Sequence, residues 1–315
     1  SPKVQKGEKH MIPARLQKGD TLGIIAPSDS VTEKNLEEFN NSILLMEGSG
    51  YKLKIGKNVF ANPTGYGATA EQKAEDLNRM FADDEVKMVW CAKGGFNSNS
   101  IFDLIDYELV KRNPKILCGY SDTTAIANMI YEKTGLVTFS GQTFKGLSAC
   151  ETEYCYKEII KRFQDGSLEL GTKDDEYRVI NPGQAEGIMI GGNLSIMSNL
   201  ITGKYNVDVT DKILFLEEFW LESPSEAVSS YFYRMKQNDV FSKIKGIWLG
   251  GYEHESGITL AQVLKDTIGN EYNFPIIQSD NFGHIDPKTV IPIGVKVRID
   301  TDDKVKIKLL EKCVN

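Results

Sequence analysis

The segment from residue 116 to 135 reads ILCGYSDTTAIANMIYEKTG. Its apolar start, Ile116 to Tyr120, predicts a buried strand, and Thr123 to Lys133 predicts a helix that ends before Gly135. Only the dipeptide Ser121-Asp122 separates the two elements. A strand that passes this directly into a helix is typical of parallel sheets with helices on their faces, so this segment indicates an α/β fold.

The same alternation runs through the first half of the chain. Buried strands are predicted at Thr21 to Ala26 and at Val86 to Cys91, with another strand near Tyr51 to Val59. Before the last of these, the capping box Thr69-Ala70-Glu71-Gln72 predicts the start of a helix. Ligands of such sheets bind beyond the carboxyl ends of the strands, which directs attention to the polar turns that follow them.

Composition divides the chain into four segments. They are a polar leader (1–12), an α/β domain (13–168), a linker (169–183) and a β-rich domain (184–315). The linker is predicted because residues 171–183 are polar, lack periodicity and end in Asn-Pro-Gly. The C-terminal tail alternates in hydrophobicity and predicts a hairpin that turns at Thr301-Asp302-Asp303.

Charge and cysteine content exclude several classes of protein. The 315 residues carry a net charge of −7, from 37 basic and 44 acidic residues, so a nucleic-acid partner is not expected. No run approaches the roughly 20 apolar residues that span a bilayer, so no membrane contact is expected. Five cysteines without a C-x-x-C pair predict reduced thiols, neither a disulfide framework nor a zinc site, and a cytoplasmic protein.

Ser121 is the candidate nucleophile. A serine between a strand and a helix can occupy a sharp turn above the sheet, where Gly119 allows close backbone approach and the Asp122 amide can bind an oxyanion. The alternative is that Ser121 only caps the following helix, a position that serine favours. Thr123 stands where the usual nucleophile turn has a second glycine. A thiol nucleophile at Cys118 is disfavoured because that residue lies inside the apolar strand.

A second polar turn, Lys93-Gly94-Gly95-Phe96-Asn97, follows the predicted strand VKMVWC. Paired glycines let backbone amides face a ligand, so Gly94 or Gly95 can supply another oxyanion donor. The alternative is a tight strand–helix turn without a catalytic role.

The general base and its acid have fewer candidates. Of the three histidines, His10 lies in the polar leader, whereas His254 and His284 both follow apolar strands, and the residues alone leave the choice between these two open. Glu217, beside Glu218 at the end of the run ILFL, is the candidate carboxylate that orients an imidazole. Its alternative is an ordinary exposed strand end.

A nucleotide-binding protein or dehydrogenase is the rival from another class. Residues 65–70 fit G-x-G-x-x-A before a helix. Asn62-Pro63-Thr64 separates this run from any strand, and it is not the first strand–helix turn, so the context fails.

Six segments together resemble the LD-carboxypeptidase family of serine peptidases. They are TAEQKAEDLNRMFAD (69–83), AKGGFNSNS (92–100), GYSDTTA (119–125), EGIMIGGNLS (186–195), LFLEEFW (214–220) and NFGH (281–284). The match runs from about Pro13 to Leu310. It implies a Rossmann-like N-terminal domain, a smaller β-rich C-terminal domain, and a serine–histidine–glutamate triad. The site residues it implies are Ser121, Glu217 and His284, with oxyanion amides from Gly94 or Gly95 and from Asp122.

Two branches of this family differ in substrate. Cell-wall-recycling members release D-alanine from muropeptide tetrapeptides, and their glycine turn reads Arg-Gly-Gly-Tyr-Gly. The turn Lys93 to Asn99 instead resembles that of microcin-C immunity peptidases, although the segment 144–186 lacks the tryptophan of their nucleotide-holding loop. The resemblance therefore implies a peptidase for a small peptide or peptide–nucleotide substrate, with Phe96, Asn97 and Ser98 at the substrate. It implies no metal or cofactor and a possible homodimer; a catalytically silent binding protein on the same fold is the alternative.

Overall fold

The computed structural model describes residues 10–150, 153–171, 176–286 and 288–315. The chain forms two compact units. The N-terminal unit contains the chain up to Ser167 together with Cys313–Asn315, and the C-terminal unit is Leu168–Lys312. Both units combine helices with a sheet that contains parallel strands, so the predicted α/β class is confirmed.

The N-terminal unit is built on a parallel sheet with the strand order β5-β4-β3-β1-β2. The strands are β1 (Thr21–Ile25), β2 (Lys52–Ile55), β3 (Val86–Cys91), β4 (Ile116–Gly119) and β5 (Thr138–Ser140). The helices are α1 (Glu33–Gly48), α2 (Ala70–Ala82), α3 (Tyr107–Arg112), α4 (Thr124–Thr134), α5 (Phe144–Ala149) and α6 (Tyr154–Phe163), with single 3₁₀ turns at Ser98–Ile101 and Ser121–Thr123.

A continuous apolar run explains why β1 lies inside the sheet, between β2 and β3. Every residue of β1 is buried, as expected for a strand covered on both faces. β2 ends earlier than the predicted Val59, because the buried Asp76 carboxylate accepts the Asn58 amide at 2.8 Å and draws the chain out of the sheet. The predicted capping box of α2 is present, with Thr69 and Gln72 bonded reciprocally.

The C-terminal unit contains a seven-stranded sheet in the order β13-β12-β7-β8-β9-β10-β6. The strands of this unit are β6 (Tyr177–Asn181), β7 (Gln184–Asn193), β8 (Lys212–Glu217), β9 (Gly246–Leu249), β10 (Ile276–Ser279), β11 (Ile291–Ile293), β12 (Val295–Asp300) and β13 (Ile307–Leu309). Its helices are α7 (Leu194–Asn199), α8 (Ser225–Gln237), α9 (Val240–Lys243) and α10 (Leu260–Ile268). Strands β7 to β10 are parallel, whereas β6, β12 and β13 are antiparallel to their neighbours.

Two boundary regions differ from the sequence prediction. Residues 177–181 of the expected linker form β6, an edge strand whose half-exposed side chains give no clear hydrophobic pattern. At the other boundary, residues 1–9 of the leader lie outside the described residues, but Met11 exchanges backbone hydrogen bonds with Gly135 and Val137. The predicted C-terminal hairpin is confirmed by the antiparallel pair β12 and β13.

The prediction that all cysteines are reduced is wrong for one pair. Cys150 and Cys155 form a disulfide, whereas Cys91, Cys118 and Cys313 are free and buried. A spacing of five residues carries no pairing signal in the sequence. Among the described residues, no helix has both the length and the apolar character needed to cross a membrane.

Candidate active site

Ser121 occupies a strained position between β4 and α4. Its backbone φ is +64°, in the left-handed region that costs a non-glycine residue on the order of 1–2 kcal/mol. The capping alternative is wrong, because the residue at the N-cap position of α4 is Thr123. Ser121 instead begins a short 3₁₀ turn, which presents it above the end of the strand as in a nucleophile turn.

Close packing explains the residues on either side of this serine. A Cβ at Gly119 would lie 2.5 Å from Thr123 Oγ1 and 2.9 Å from Cys91 Cβ, so only glycine fits. The Thr123 hydroxyl donates to the Tyr120 carbonyl at 2.9 Å. Thr123 therefore closes the turn, which explains how a threonine can replace the second glycine.

The Asp122 side chain is committed to holding the turn in place. Its buried carboxylate accepts the Ser98 amide at 2.7 Å and the Ser28 hydroxyl. Ser98 Oγ in turn donates to the Asp122 carbonyl at 2.8 Å. These bonds tie together the loops that follow β1, β3 and β4, and they leave the backbone amide of Asp122 as its candidate catalytic group.

The structure brings the glycine pair against the candidate nucleophile. A Cβ on Gly94 would stand 3.1 Å from Ser121 Cβ and 3.2 Å from its Oγ. The φ of Gly95 is +151°, which side chains rarely adopt. Both features require glycine, so the turn can place backbone amides beside Ser121.

The three candidate substrate-binding residues differ in accessibility. Phe96 is 71% exposed, and Asn97 is half-buried with its Oδ1 accepting Lys73 Nζ at 2.7 Å. Ser98 is buried, and both its amide and its hydroxyl are engaged with Asp122. Phe96 is therefore the member of this group that can offer a ligand a large apolar surface.

In the C-terminal unit, His284 and Glu217 form a buried pair. His284 Nδ1 lies 2.7 Å from Glu217 Oε2, and the side chains are 12% and 4% exposed. The Phe219 ring stacks on the imidazole at a centroid distance of 4.6 Å. Gly283 permits this approach, because its φ is +113° and a Cβ there would lie 3.0 Å from Glu217 Cβ. The pair is thus held by packing as well as by its hydrogen bond.

The charges around this pair favour a protonated imidazole. Burial lowers the pKa of His284, but the charge and hydrogen bond of Glu217, together with Glu218, outweigh it and raise the pKa above its ordinary value. Burial and the neighbouring Glu217 charge also raise the pKa of Glu218. The electrostatic setting is that of an imidazole prepared to accept a proton.

Two supporting residues were not predicted from sequence. Asn193 Nδ2 donates to Glu217 Oε1 at 3.3 Å and to Glu218 Oε1 at 3.0 Å. Glu218 also accepts the amides of Ser195 and Phe219. The register of β7 on β8 places Asn193 directly opposite Glu217. The only available signal was that Asn193 lies in the EGIMIGGNLS segment, which says nothing about its partner.

His254 has a different environment from His284. Its Nδ1 lies 2.6 Å from Ser256 Oγ, and its ring stacks on Tyr252. The structure thus distinguishes the two histidines that the residues alone left open, because His284 is the one that contacts the Glu217 carboxylate.

Two alternative chemistries lose their structural basis. Burial raises the pKa of the Cys118 thiol well above its ordinary value and that of Cys91 to about 12, so neither is a ready thiolate. The nucleotide-binding alternative needs its G-x-G-x-x-A run to follow a strand directly. The run at 65–70 does not, since β2 ends at Ile55.

Comparison with known proteins extends across both units. The family model for the LD-carboxypeptidase N-terminal domain matches residues 22–141, and that for the C-terminal domain matches residues 186–299. The chain belongs to the LD-carboxypeptidase family. This family membership marks the chain as a serine-type peptidase in its general class.

Individual relatives of the family cover nearly the whole chain. A probable murein peptide carboxypeptidase of Bacillus subtilis is 33% identical over 94% of this chain and 93% of its own length. The microcin C7 self-immunity protein MccF of Escherichia coli is 29% identical, over 93% of this chain and 94% of its own. A solved structure of MccF in complex with aspartyl sulfamoyl adenosine matches with a TM-score of 0.88 and 26% identity, covering 97% of this chain and all of that one (100%).

Proposed function

We propose that the chain is a serine peptidase that hydrolyses an amide bond near the C-terminus of a small peptide or peptide conjugate. Ser121 is the nucleophile, His284 the general base and Glu217 its carboxylate. The observation that carries this proposal is the buried 2.7 Å contact between His284 Nδ1 and Glu217 Oε2. The strained φ of Ser121 beside Gly94 supports it from the N-terminal unit.

The proposed reaction starts from the tautomer that Glu217 selects. Because an ionised carboxylate can only accept, His284 Nδ1 donates to it and Nε2 keeps its lone pair. Nε2 takes the Ser121 proton as the hydroxyl attacks the carbonyl carbon, and Glu217 stabilises the imidazolium. The imidazolium then protonates the leaving amine as the C–N bond breaks, and water hydrolyses the resulting acyl-enzyme.

Backbone amides stabilise the charge that develops on the carbonyl oxygen. In this scheme the amide of Asp122 is one donor and an amide of the Gly94-Gly95 turn is the other. Loss of one such donor costs about 10²–10³ in kcat, so catalysis also depends on the precise geometry of these turns.

For the substrate, we propose a conjugate of the kind that microcin immunity peptidases cleave. The support is the Lys93 to Asn99 turn, which carries the exposed Phe96 ring and an Asn97 side chain held by Lys73. The second candidate is release of D-alanine from a muropeptide tetrapeptide, which is favoured by the 33% identity to a probable murein peptide carboxypeptidase.

Mass spectrometry of two incubations tests both the chemistry and the substrate. Wild type, Ser121→Ala and the control Ser148→Ala are each incubated with aspartyl sulfamoyl adenosine and with a muropeptide tetrapeptide. Ser148 is a half-buried serine of the same unit that donates to the Glu38 carbonyl at 2.7 Å. We expect wild type and the control to cleave the conjugate, and Ser121→Ala to cleave nothing.

Other outcomes of this experiment have distinct meanings. Release of D-alanine alone supports the second candidate. Turnover by Ser121→Ala contradicts the serine mechanism. If wild type cleaves neither compound and a serine-directed probe does not label Ser121, the protein is a catalytically silent binding protein.

A further inference from the structure

Asp29 lies against the Gly94-Gly95 turn in the N-terminal unit. It belongs to the loop after β1, and β1 pairs with β3, so this loop and the turn leave the sheet side by side. The Asp29 amide donates to the Gly94 carbonyl at 3.3 Å. A Cβ on Gly95 would clash with Asp29 Oδ1, and the same carboxylate interacts with the Phe96 amide. Asp29 therefore contacts three successive residues of the turn.

The backbone hydrogen bond from Asp29 sets the direction of the Gly94-Gly95 peptide group. In a trans peptide the carbonyl and the following N–H point in opposite directions. Because the Gly94 carbonyl points at Asp29, the Gly95 N–H points away from it. This N–H donates to no residue that the structure describes. It belongs to the residue after Gly94, on which an added Cβ would lie 3.1 Å from Ser121 Cβ.

We propose that Asp29 is a positioning residue for the Gly95 N–H as the oxyanion donor from this turn. Its backbone amide orients the Gly94-Gly95 peptide, and its carboxylate, through the Phe96 amide, holds the turn in that orientation. This assignment rests on the proposed serine-peptidase function. It adds a residue that the six family-like segments of the sequence do not contain.

Two lysines lie close to the Asp29 carboxylate. Burial, together with the neighbouring Asp122 charge, raises the pKa of Asp29, and the charges of Lys93 and Lys73 oppose that rise. Lys73 also donates to Asn97 at 2.7 Å and so holds the far end of the same turn. Asp29 and Lys73 thus hold the two ends of the turn, through the Phe96 amide and through Asn97.

Steady-state kinetics of Asp29 variants test this role. We compare Asp29→Ala, Asp29→Asn and Asp29→Glu with Asp76→Ala, using whichever of the two substrates wild type cleaves. Asp76 is a matched control, because it is a buried aspartate of the same unit that accepts hydrogen bonds from Asn58. The melting temperature of each variant is measured alongside kcat and KM.

A positioning role predicts a specific pattern. Asp29→Ala lowers kcat by about 100-fold and leaves KM within about threefold, as expected when one oxyanion donor is misplaced. Asp29→Asn keeps an acceptor oxygen for the Phe96 amide and retains at least about one third of kcat. Asp29→Glu keeps the charge but displaces the carboxylate by one methylene, so its kcat should fall as well. This variant tests the role even if Asp29→Ala does not fold. Asp76→Ala lowers the melting temperature without this loss of kcat.

The contrary results separate the two proposals. A folded Asp29→Ala or Asp29→Glu variant with wild-type kcat refutes the positioning role, and so does an equal loss in Asp29→Asn and Asp29→Ala. The proposed function stands in those cases if Ser121→Ala is inactive. Turnover by Ser121→Ala, or a wild type that cleaves neither substrate, overturns both.

Discussion

The Glu217→Gln substitution tests the buried histidine–glutamate pair, because Asn193 dictates how the new amide is oriented. Glu217 Oε2 lies 2.7 Å from His284 Nδ1, whereas Oε1 receives Asn193 Nδ2 at 3.3 Å. In the variant the amide oxygen must stay opposite the Asn193 donor, so the new NH₂ group faces His284 Nδ1. Nδ1 then accepts a hydrogen bond, the ring proton moves to Nε2, and the imidazole can no longer take the proton of Ser121.

Two contributions set the magnitude of this effect. Loss of a hydrogen bond to a charged group is worth about 1.5–3 kcal/mol, which corresponds to a factor of roughly 10–150 in rate. Selection of the wrong tautomer in a serine–histidine–acid triad costs about 10⁴ in kcat. We therefore expect Glu217→Gln to lower kcat by about 10²- to 10⁴-fold while the fold is retained.

The assay is kcat on the substrate that wild type cleaves, with circular dichroism to confirm folding. Glu226→Gln is the matched control, because Glu226 is an exposed glutamate in the first turn of α8 in the same unit. A folded Glu217→Gln enzyme that keeps more than about one tenth of wild-type kcat would refute this prediction. Loss of the hydrogen bond to the charged carboxylate is by itself expected to lower kcat by at least about tenfold.

Four further results are expected. Because the pKa of His284 is raised, kcat/KM should rise with pH through a value above the ordinary imidazole pKa of about 6.5, and a pH–rate profile measures this. The raised pKa of His284 also stabilises the fold; this contribution is complete below the unfolded-state pKa and is lost as pH rises through the folded-state pKa. Urea unfolding of wild type at several pH values should show this loss. In Glu217→Gln, burial dominates and lowers the pKa of His284, so its contribution to the pH dependence of stability has the opposite sign. Gly283→Ala should lower the free energy of unfolding by about 1–3 kcal/mol, since it imposes a side chain at positive φ against Glu217; unchanged urea unfolding would contradict that. Reduction of the disulfide between Cys150 and Cys155 should lower the free energy of unfolding by about 2 kcal/mol in urea unfolding, which is the loop-closure contribution of so short a loop. The kcat of the folded protein should not change.

Local pattern was sufficient for the elements that carry the candidate nucleophile. The apolar run before Ser121 and the helical pattern after it predicted β4 and α4 because burial and helix periodicity are properties of neighbouring residues. The capping box of α2 was predicted for the same reason, since its bonds join residues three apart. Edge strand β6 was missed because half-exposed side chains leave no such pattern.

The partners of each candidate residue were decided by the tertiary structure. His284 and Glu217 lie 67 residues apart, and only the packing of the parallel strands brings them into contact and leaves His254 with Ser256. Asp29 reaches Gly95 because β1 and β3 are adjacent in the sheet, which no spacing in the chain reveals. Composition and periodicity thus determined which elements form and which residue types stand at their ends. Distance and orientation between residues remote in the chain depend on how strands pair, and this decides which side chains can act together.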